Sequence, residues 1–374
     1  MASEDPKLRY GWTTGACATA AAKAAYAGLL TGHFPDPVEV TLPRGRRPAF
    51  ALAKTELANG RATVGIVKDA GDDPDVTHGA LVLATVRRAA SGSGVAFRAG
   101  EGVGTVTRPG LPIPPGEPAI NPVPRQMIRA AIAEVAASHG GTSDVEVEIA
   151  IPGGEALAAK TMNGRLGIVG GLSILGTTGI VVPYSCSSWI ASIHSGIDVA
   201  RAACLAHVAG ATGAASEAAV QKMYDLPETA LIDMGDFVGG MLKYLRTHPV
   251  PRVTIAGGIG KMTKLAQGLL DLHSKRGSVD LAMLAKLADT AGGSRGLRER
   301  ILAANTAAEA LSHAQAEGIA LGDEIARAAW ETAAAVVAGK PIEIEIAVFD
   351  REGSLVGHAP PRAAHAAPPR KRRR

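Results

Sequence analysis

From residue 180 to about residue 265 the chain repeats one pattern: a short apolar run, a Gly/Ser/Thr-rich loop, then a helix. Ile180 to Val182 precedes a helix beginning among Ser185, Ser187 and Ser188. Leu205 to Ala209 leads through Gly210–Gly213 to a helix near Ser216. Leu231 to Met234 leads through Gly235-Asp236 to a helix ending at Leu245, and Val253 to Ala256 leads through Gly257–Gly260 to a helix starting near Lys261. Strand–helix alternation of this kind predicts a parallel sheet with helices on both faces. Every strand-to-helix loop of such a sheet emerges at one edge, so these loops should gather at the carboxyl ends of the strands, where open α/β sheets bind ligands. Helices to about Val337 and a closing strand at Ile342 to Phe349 complete this half.

The preceding residues read differently. Thr13-Thr14-Gly15 offers a threonine N-cap to an alanine-rich helix of about 16 residues that stops near Gly32. Strand-like runs follow at Val38 to Leu42, Phe50 to Leu57 and Ala62 to Val67, the last two separated by the hairpin signal Asn59-Gly60. Further strands are expected at Val95 to Ala99, Val103 to Val106 and Val145 to Ile151, with a helix over Arg125 to Ser138. The reading is a mixed α+β domain over 1–154, a parallel-sheet α/β domain over 155–358 and a disordered basic tail over 359–374. With aromatics at only 3%, small aliphatic residues and glycine must fill both cores.

The formal charge of +4 misleads, because Arg370 to Arg374 takes five of the 39 basic residues and leaves 34 against 35 acidic ones. Such a terminal block is expected to be solvated; nucleic-acid binding through it is the non-enzymatic alternative. Cys17, Cys186 and Cys204 have neither metal-type spacing nor a disulfide pattern, which suits a reducing compartment. The N-terminal residues carry no signal-peptide core. Leu166 to Ile197 contains no Asp, Glu, Lys or Arg, but its glycines and Pro183 suit buried loops better than a helix in lipid. A cytoplasmic protein is expected.

Four segments bear chemistry. Gly257-Gly258-Ile-Gly260-Lys261 opens a helix, where free N–H groups and the positive dipole end hold anions. It fits neither the P-loop nor the G-x-G-x-x-G pattern, so a ligand loop and a tight structural turn both remain open, as does a phosphorylated nucleotide as ligand. Lys68 to Gly79 packs Asp69, Asp72, Asp73, Asp75 and His78 into a few residues. A solvated turn, a catalytic or substrate loop and a metal site compete there, and the spacing does not match a calcium loop. Asn163-Gly164-Arg165 with Gly170, Gly171 and Gly176 to Gly179 would let a flat ligand or a neighbouring domain approach the backbone. Arg44, Arg46, Arg47 and Arg125 sit in loops, where their planar forks suit carboxylates if they are not simply solvated. His194 and His207 form no zinc spacing, and Cys17 reads as a buried thiol.

Taken together, Arg9 to Gly15, Lys68 to Gly79, Asn121 to Arg125, Arg165 to Ile180, Gly235 to Gly239, Gly257 to Leu265 and Asn305-Thr306 occur in an order that resembles the cobalt-precorrin-5B C1-methyltransferase (CbiD) family. The resemblance spans roughly residues 8 to 357; Trp12 stands where another aromatic is expected. It implies an enzyme of cobalamin biosynthesis that moves a methyl group from S-adenosylmethionine to C1 of cobalt-precorrin-5B, giving cobalt-precorrin-6A. Cobalt would arrive inside the corrinoid substrate, so no protein-bound metal is expected, and neither is nucleic acid or membrane; assembly into a homo-oligomer stays open. Alignment and water exclusion would be the main catalytic tasks. The donor is expected against Gly176, Thr177, Gly235, Asp236, Gly257, Gly258, Gly260 and Lys261. The macrocycle is expected near Thr13, Thr14, Arg125 and Arg165, with Asp72 and His78 as candidate catalytic groups.

Overall fold

The threonine before the alanine-rich run does cap a helix. In the computed structural model, which describes residues 8–364, Thr13 accepts a hydrogen bond from Ala16 N (3.1 Å), and α1 (Thr14–Thr31) ends where Gly32 turns left-handed at φ 76°. α1 is buried on nearly every side, which explains its composition: only alanine-sized side chains let a helix approach neighbours all round. It packs on α2 (Pro122–His139) and on a five-stranded sheet. That sheet comprises β1 (Lys54–Ala58), β2 (Arg61–Val67), β3 (Leu81–Arg88), β4 (Val95–Ala99) and β5 (Val145–Ala150) in the order β1-β2-β3-β5-β4. All pairs are antiparallel except β4 with β5. Asn59 and Gly60, both with positive φ, form the two-residue turn between β1 and β2, as primed hairpin turns require.

The chain divides into two compact units, 1–186 and 187–374, later than the break expected near residue 154. The reason is visible in the apolar stretch. Ile180-Val181 pairs antiparallel with Gly11-Trp12, and Ile168-Val169 pairs with Thr105-Val106. These residues therefore belong to the first unit, and Ile180 to Val182 does not begin the parallel sheet as expected. Among the described residues no helix is long and apolar enough to cross a membrane.

The second unit follows α3 (Cys186–Ala202) with three strand–helix steps. These are β6 (His207–Ala211) to α4 (Ala214–Tyr224), β7 (Leu231–Asp233) to α5 (Val238–Leu245), and β8 (Arg252–Gly258) to α6 (Ile259–Ala266). Helices α7 (Leu281–Thr290), α8 (Arg295–Ala303), α9 (Ala307–Ala316) and α10 (Leu321–Val336) precede β9 (Glu343–Phe349) and β10 (Leu355–Ala363). The order is β7-β6-β8-β9-β10, parallel throughout except for β10. Residues 359–363, assigned from sequence to the tail, are part of β10, because β9 would otherwise expose an edge; residues 365–374 lie outside the described part. One sheet face carries Val208, Val253, Ile255, Ile344 and Ile346 against most of the helices. The other carries Ala209, Ala256, Ala347 and Phe349 against α4.

On the α4 face, towards the amino ends of the strands, one carboxylate is fully buried. Glu345 is 0% exposed. It accepts hydrogen bonds from Thr254 Oγ1 (2.5 Å), Arg252 (2.9 Å), His358 Nε2 (2.8 Å) and the Tyr224 hydroxyl. Thr254 spends its one proton on Glu345, so His207 Nε2, 2.7 Å from the same hydroxyl oxygen, must be the donor. Burial alone would raise the Glu345 carboxyl, but these donors outweigh it and hold it at about 2. Burial, then the Arg252 charge, pushes His207 down from 6.5 to about 4. The unfolded chain therefore binds more protons than the folded one, first through His207 between pH 6.5 and about 4, then through Glu345 between 4.5 and about 2. Stability should fall as the pH drops through those windows, by at most about 1.4 kcal/mol per pH unit per group. Urea unfolding at neutral pH and at about pH 4 checks the sign; a midpoint that rises on acidification contradicts it.

Candidate active-site cleft

Strand order reverses at β6: the chain leaves β6 for β7 on one side, then crosses to β8 on the other. A crevice at the carboxyl ends is the geometric consequence, and the structure has one, of about 310 Å³. Thr212 and Gly213 follow β6, with Ala214 and Glu217 on the first turn of α4; Asp233 ends β7, and Gly235, Asp236 and Phe237 follow it. Lys261 of α6 and Trp189 of α3 complete the lining. The expectation that Gly/Ser/Thr loops gather at this edge therefore holds for three of the four segments.

The polar groups are held from within. Lys261 Nζ donates to the Thr212 carbonyl (2.7 Å) and lies 3.1 Å from Asp236 Oδ1. That second contact lies off the direction of a hydrogen bond: Asp236 Oδ1 is buried and accepts none. A buried carboxylate oxygen that a nearby charge compensates but that accepts no hydrogen bond keeps a lone pair available to a ligand donor.

The glycines separate by cause. A Cβ on Gly257 would strike Met262 Sδ at 2.6 Å, so packing of α6 on β8 demands glycine there. Gly235 has φ +52° and turns the chain under the Trp189 ring. Gly213 differs: its backbone is extended and a Cβ there meets nothing within 4 Å. Neither conformation nor packing requires glycine at 213, and a side chain would enter the cleft. Gly258, the N-cap of α6, and Gly260 are likewise open beyond their Cα atoms.

Gly176 and Thr177 are not on this edge. They belong to the first unit, where a Cβ on Gly176 would collide with Thr13 and where Thr13 N donates to Gly179 O (3.0 Å). Thr13 and Thr14, 6% and 4% exposed, are engaged in the helix cap and in a stitch between Thr14 Oγ1 and Leu175 N (3.0 Å). Arg125 directs its donors inward, to Ile120 O (2.8 Å), Pro118 O (3.0 Å) and Glu117 (3.1 Å), and its guanidinium lies over Phe97. Arg165 is half-buried. Of the loop arginines, Arg46 lies over Trp12 and Arg47 pairs with Glu39.

The acidic segment is a self-bonded loop. Asp72 accepts from Arg9 N (2.6 Å), and Asp69 pairs with the Arg9 guanidinium. Asp73 accepts from Tyr184 N (2.8 Å), and Asp75 binds the buried Lys68 (2.7 Å) and Thr77. His78 Nδ1 accepts from Ala70 N (3.1 Å), which places its proton on Nε2; in that tautomer His78 offers solvent a donor, not a base. No group of three or more His, Cys, Asp or Glu side chains able to hold a metal occurs among the described residues. Burial pushes the Cys17 thiol up to about 12, and His194 stacks on Tyr244.

Sequence reasoning thus found Gly235, Asp236 and Lys261 in the cleft but missed Trp189, Thr212, Gly213, Glu217, Asp233 and Phe237. Gly210–Gly213 was a visible signal; a lone Trp at the start of a serine-rich helix was not.

Two family models match the chain: CbiD over residues 1–183 and the CbiD C-terminal domain over residues 271–360. Proteins called cobalt-precorrin-5B C(1)-methyltransferase are similar along nearly the whole length. The one from Bradyrhizobium sp. is 65% identical, covering 98% of this chain and 97% of its own. That from Agrobacterium fabrum is 62% identical, covering 99% and 97%. A solved structure, the cobalamin biosynthesis protein (cbiD) from Archaeoglobus fulgidus, aligns at a TM-score of 0.40 with 28% identity, covering 74% of this chain and 86% of that one.

Proposed function

The chain belongs to the CbiD family of cobalt-precorrin-5B C(1)-methyltransferases, and on that premise we propose that it moves a methyl group from S-adenosylmethionine to C1 of cobalt-precorrin-5B, giving cobalt-precorrin-6A on the anaerobic route to cobalamin. The donor supplies an already activated methyl on a sulfonium, so the protein's residues need to orient and to exclude water rather than to form a covalent intermediate.

One observation carries the assignment of the donor to the cleft of the second unit: the buried Asp236 Oδ1, paired in charge with Lys261 but accepting no hydrogen bond, in a crevice whose Gly213 is kept bare by neither φ nor packing. Asp236 would accept from the donor's amine or hydroxyls, and the N-terminus of α6 would face its carboxylate. A volume of about 310 Å³ is at the lower end of small-ligand pockets, which suits a nucleoside-sized molecule and not a macrocycle. A polyphosphate fits poorly, because Glu217, Asp233 and Asp236 surround the one lysine of the lining and would repel it.

Incubation with cobalt-precorrin-5B and methyl-labelled S-adenosylmethionine tests the reaction; a corrinoid product without label refutes it. Asp236→Asn keeps the shape and removes the charge, so the Kd for S-adenosylmethionine should rise about 10–100-fold, the worth of one charged hydrogen bond. Calorimetric titration checks this, and an unchanged Kd removes Asp236 from the site.

A further inference from the structure

Trp189 carries more of the cleft than its place in the sequence suggests. The residue is 45% exposed, yet its ring is not loose. Nε1 donates to the Asp233 carbonyl (3.0 Å) at the end of β7. The ring lies over the Gly235 backbone, where an added Cβ would come within 3.2 Å of it, and Phe237 stands beside it with ring centroids 6.4 Å apart. The polar edge and one side of the indole are therefore fixed while much of the ring stays open in the cleft. A large aromatic surface held rigid and left half in water loses hydrophobic stabilisation that folding could have gained. A flat ligand laid on it recovers that loss with little further ordering cost.

We propose that Trp189 is the stacking platform for the adenine ring of the methyl donor. The inference rests on the reading that S-adenosylmethionine occupies this cleft. The division of the lining supports it: Asp236 Oδ1 is an acceptor for a hydroxyl or amine group, whereas Trp189 and Phe237 offer the apolar wall that a purine needs. Base–aromatic stacking is worth about 1–3 kcal/mol, or roughly 5- to 150-fold in affinity.

The test uses the full chain with Trp189→Leu, which keeps an apolar cover on Gly235 but removes the ring, and Trp189→Phe, which restores one. Affinities are measured for S-adenosylmethionine, S-adenosylhomocysteine and 5′-methylthioadenosine, which share adenine but differ in the sulfonium and the amino-acid arm. Trp189→Leu should weaken all three by a similar factor of roughly 5 to 150, and Trp189→Phe should recover most of it. KM for the donor should rise with kcat little changed, because a stack made equally in ground and transition states affects binding alone. Binding should quench the indole emission of the wild type and not that of Trp189→Phe, although the variant still binds. Loss confined to S-adenosylmethionine would place the sulfonium on the ring and overturn the proposal. Unchanged affinities in Trp189→Leu, with Asp236→Asn still impaired, would overturn it while leaving the donor in the cleft. If neither variant affects binding, the donor reading falls too.

Discussion

Glu345→Ala should lower the unfolding free energy of the protein by about 3–5 kcal/mol, the usual loss when one partner is taken from a buried charged network. Glu345 is the common acceptor for four donors from three elements: Thr254 and Arg252 of β8, Tyr224 of α4 and His358 of β10. Without the carboxylate, Thr254 loses its acceptor inside the fold and the Tyr224 hydroxyl, held up at about 12 by burial and by Glu345, has nothing to donate to. Arg252 is 30% exposed and His358 32%, so water rescues part of their loss and the lower half of the range is the better expectation. Glu345→Gln separates shape from charge: it fits the same space but brings an amide N–H₂ against donors, so it should recover only part of the stability. Urea unfolding of both variants decides the point. A Glu345→Ala loss below about 1 kcal/mol would mean that the cluster is worth no more than an exposed ion pair. Substitution here should leave donor affinity unchanged, because the cluster sits towards the amino ends of the strands and the cleft at their carboxyl ends.

Gly213→Val should do the reverse. The extended backbone at 213 accommodates a β-branched residue, and the added Cβ meets nothing within 4 Å, so thermal stability should stay close to that of the wild type. The isopropyl group then occupies part of a crevice of about 310 Å³. Displacement of a bound reactant by even 1 Å can cost about 10²-fold in rate, so kcat/KM should fall by roughly two orders of magnitude or more. Steady-state methyl transfer beside a thermal melt distinguishes a blocked cleft from a damaged fold. Activity within a few-fold of wild type would remove Gly213 from the donor site. Gly257→Ala provides the contrast: its Cβ would strike Met262 and Thr212, so stability should fall along with activity.

Features governed by neighbours along the chain were legible in advance. Thr13 and Gly32 bound α1 because capping needs only a hydroxyl at one end and a residue that tolerates positive φ at the other. Asn59-Gly60 sets the hairpin for the same local reason. The repeated strand–loop–helix pattern determined the parallel sheet and, through it, the edge where a ligand site had to lie. Tertiary structure alone decided what non-local pairing controls. The run Ile180-Val181 looks like any buried strand, and only its register with Gly11-Trp12 assigns it to the first unit. Residues 359–363 follow a Pro-rich pattern that reads as tail, yet pairing with β9 makes them strand. Arg125 is a residue type that binds anions, but in the fold its donors close on its own neighbourhood, whereas Asp72 and His78 are each tied to the backbone by one atom and stay exposed. Asp236 is the opposite case: its buried Oδ1 lies 3.1 Å from the Lys261 ammonium but accepts no hydrogen bond. Sequence states which groups a chain has to offer; which of them stay unspent after folding depends on three-dimensional contacts that no local pattern encodes.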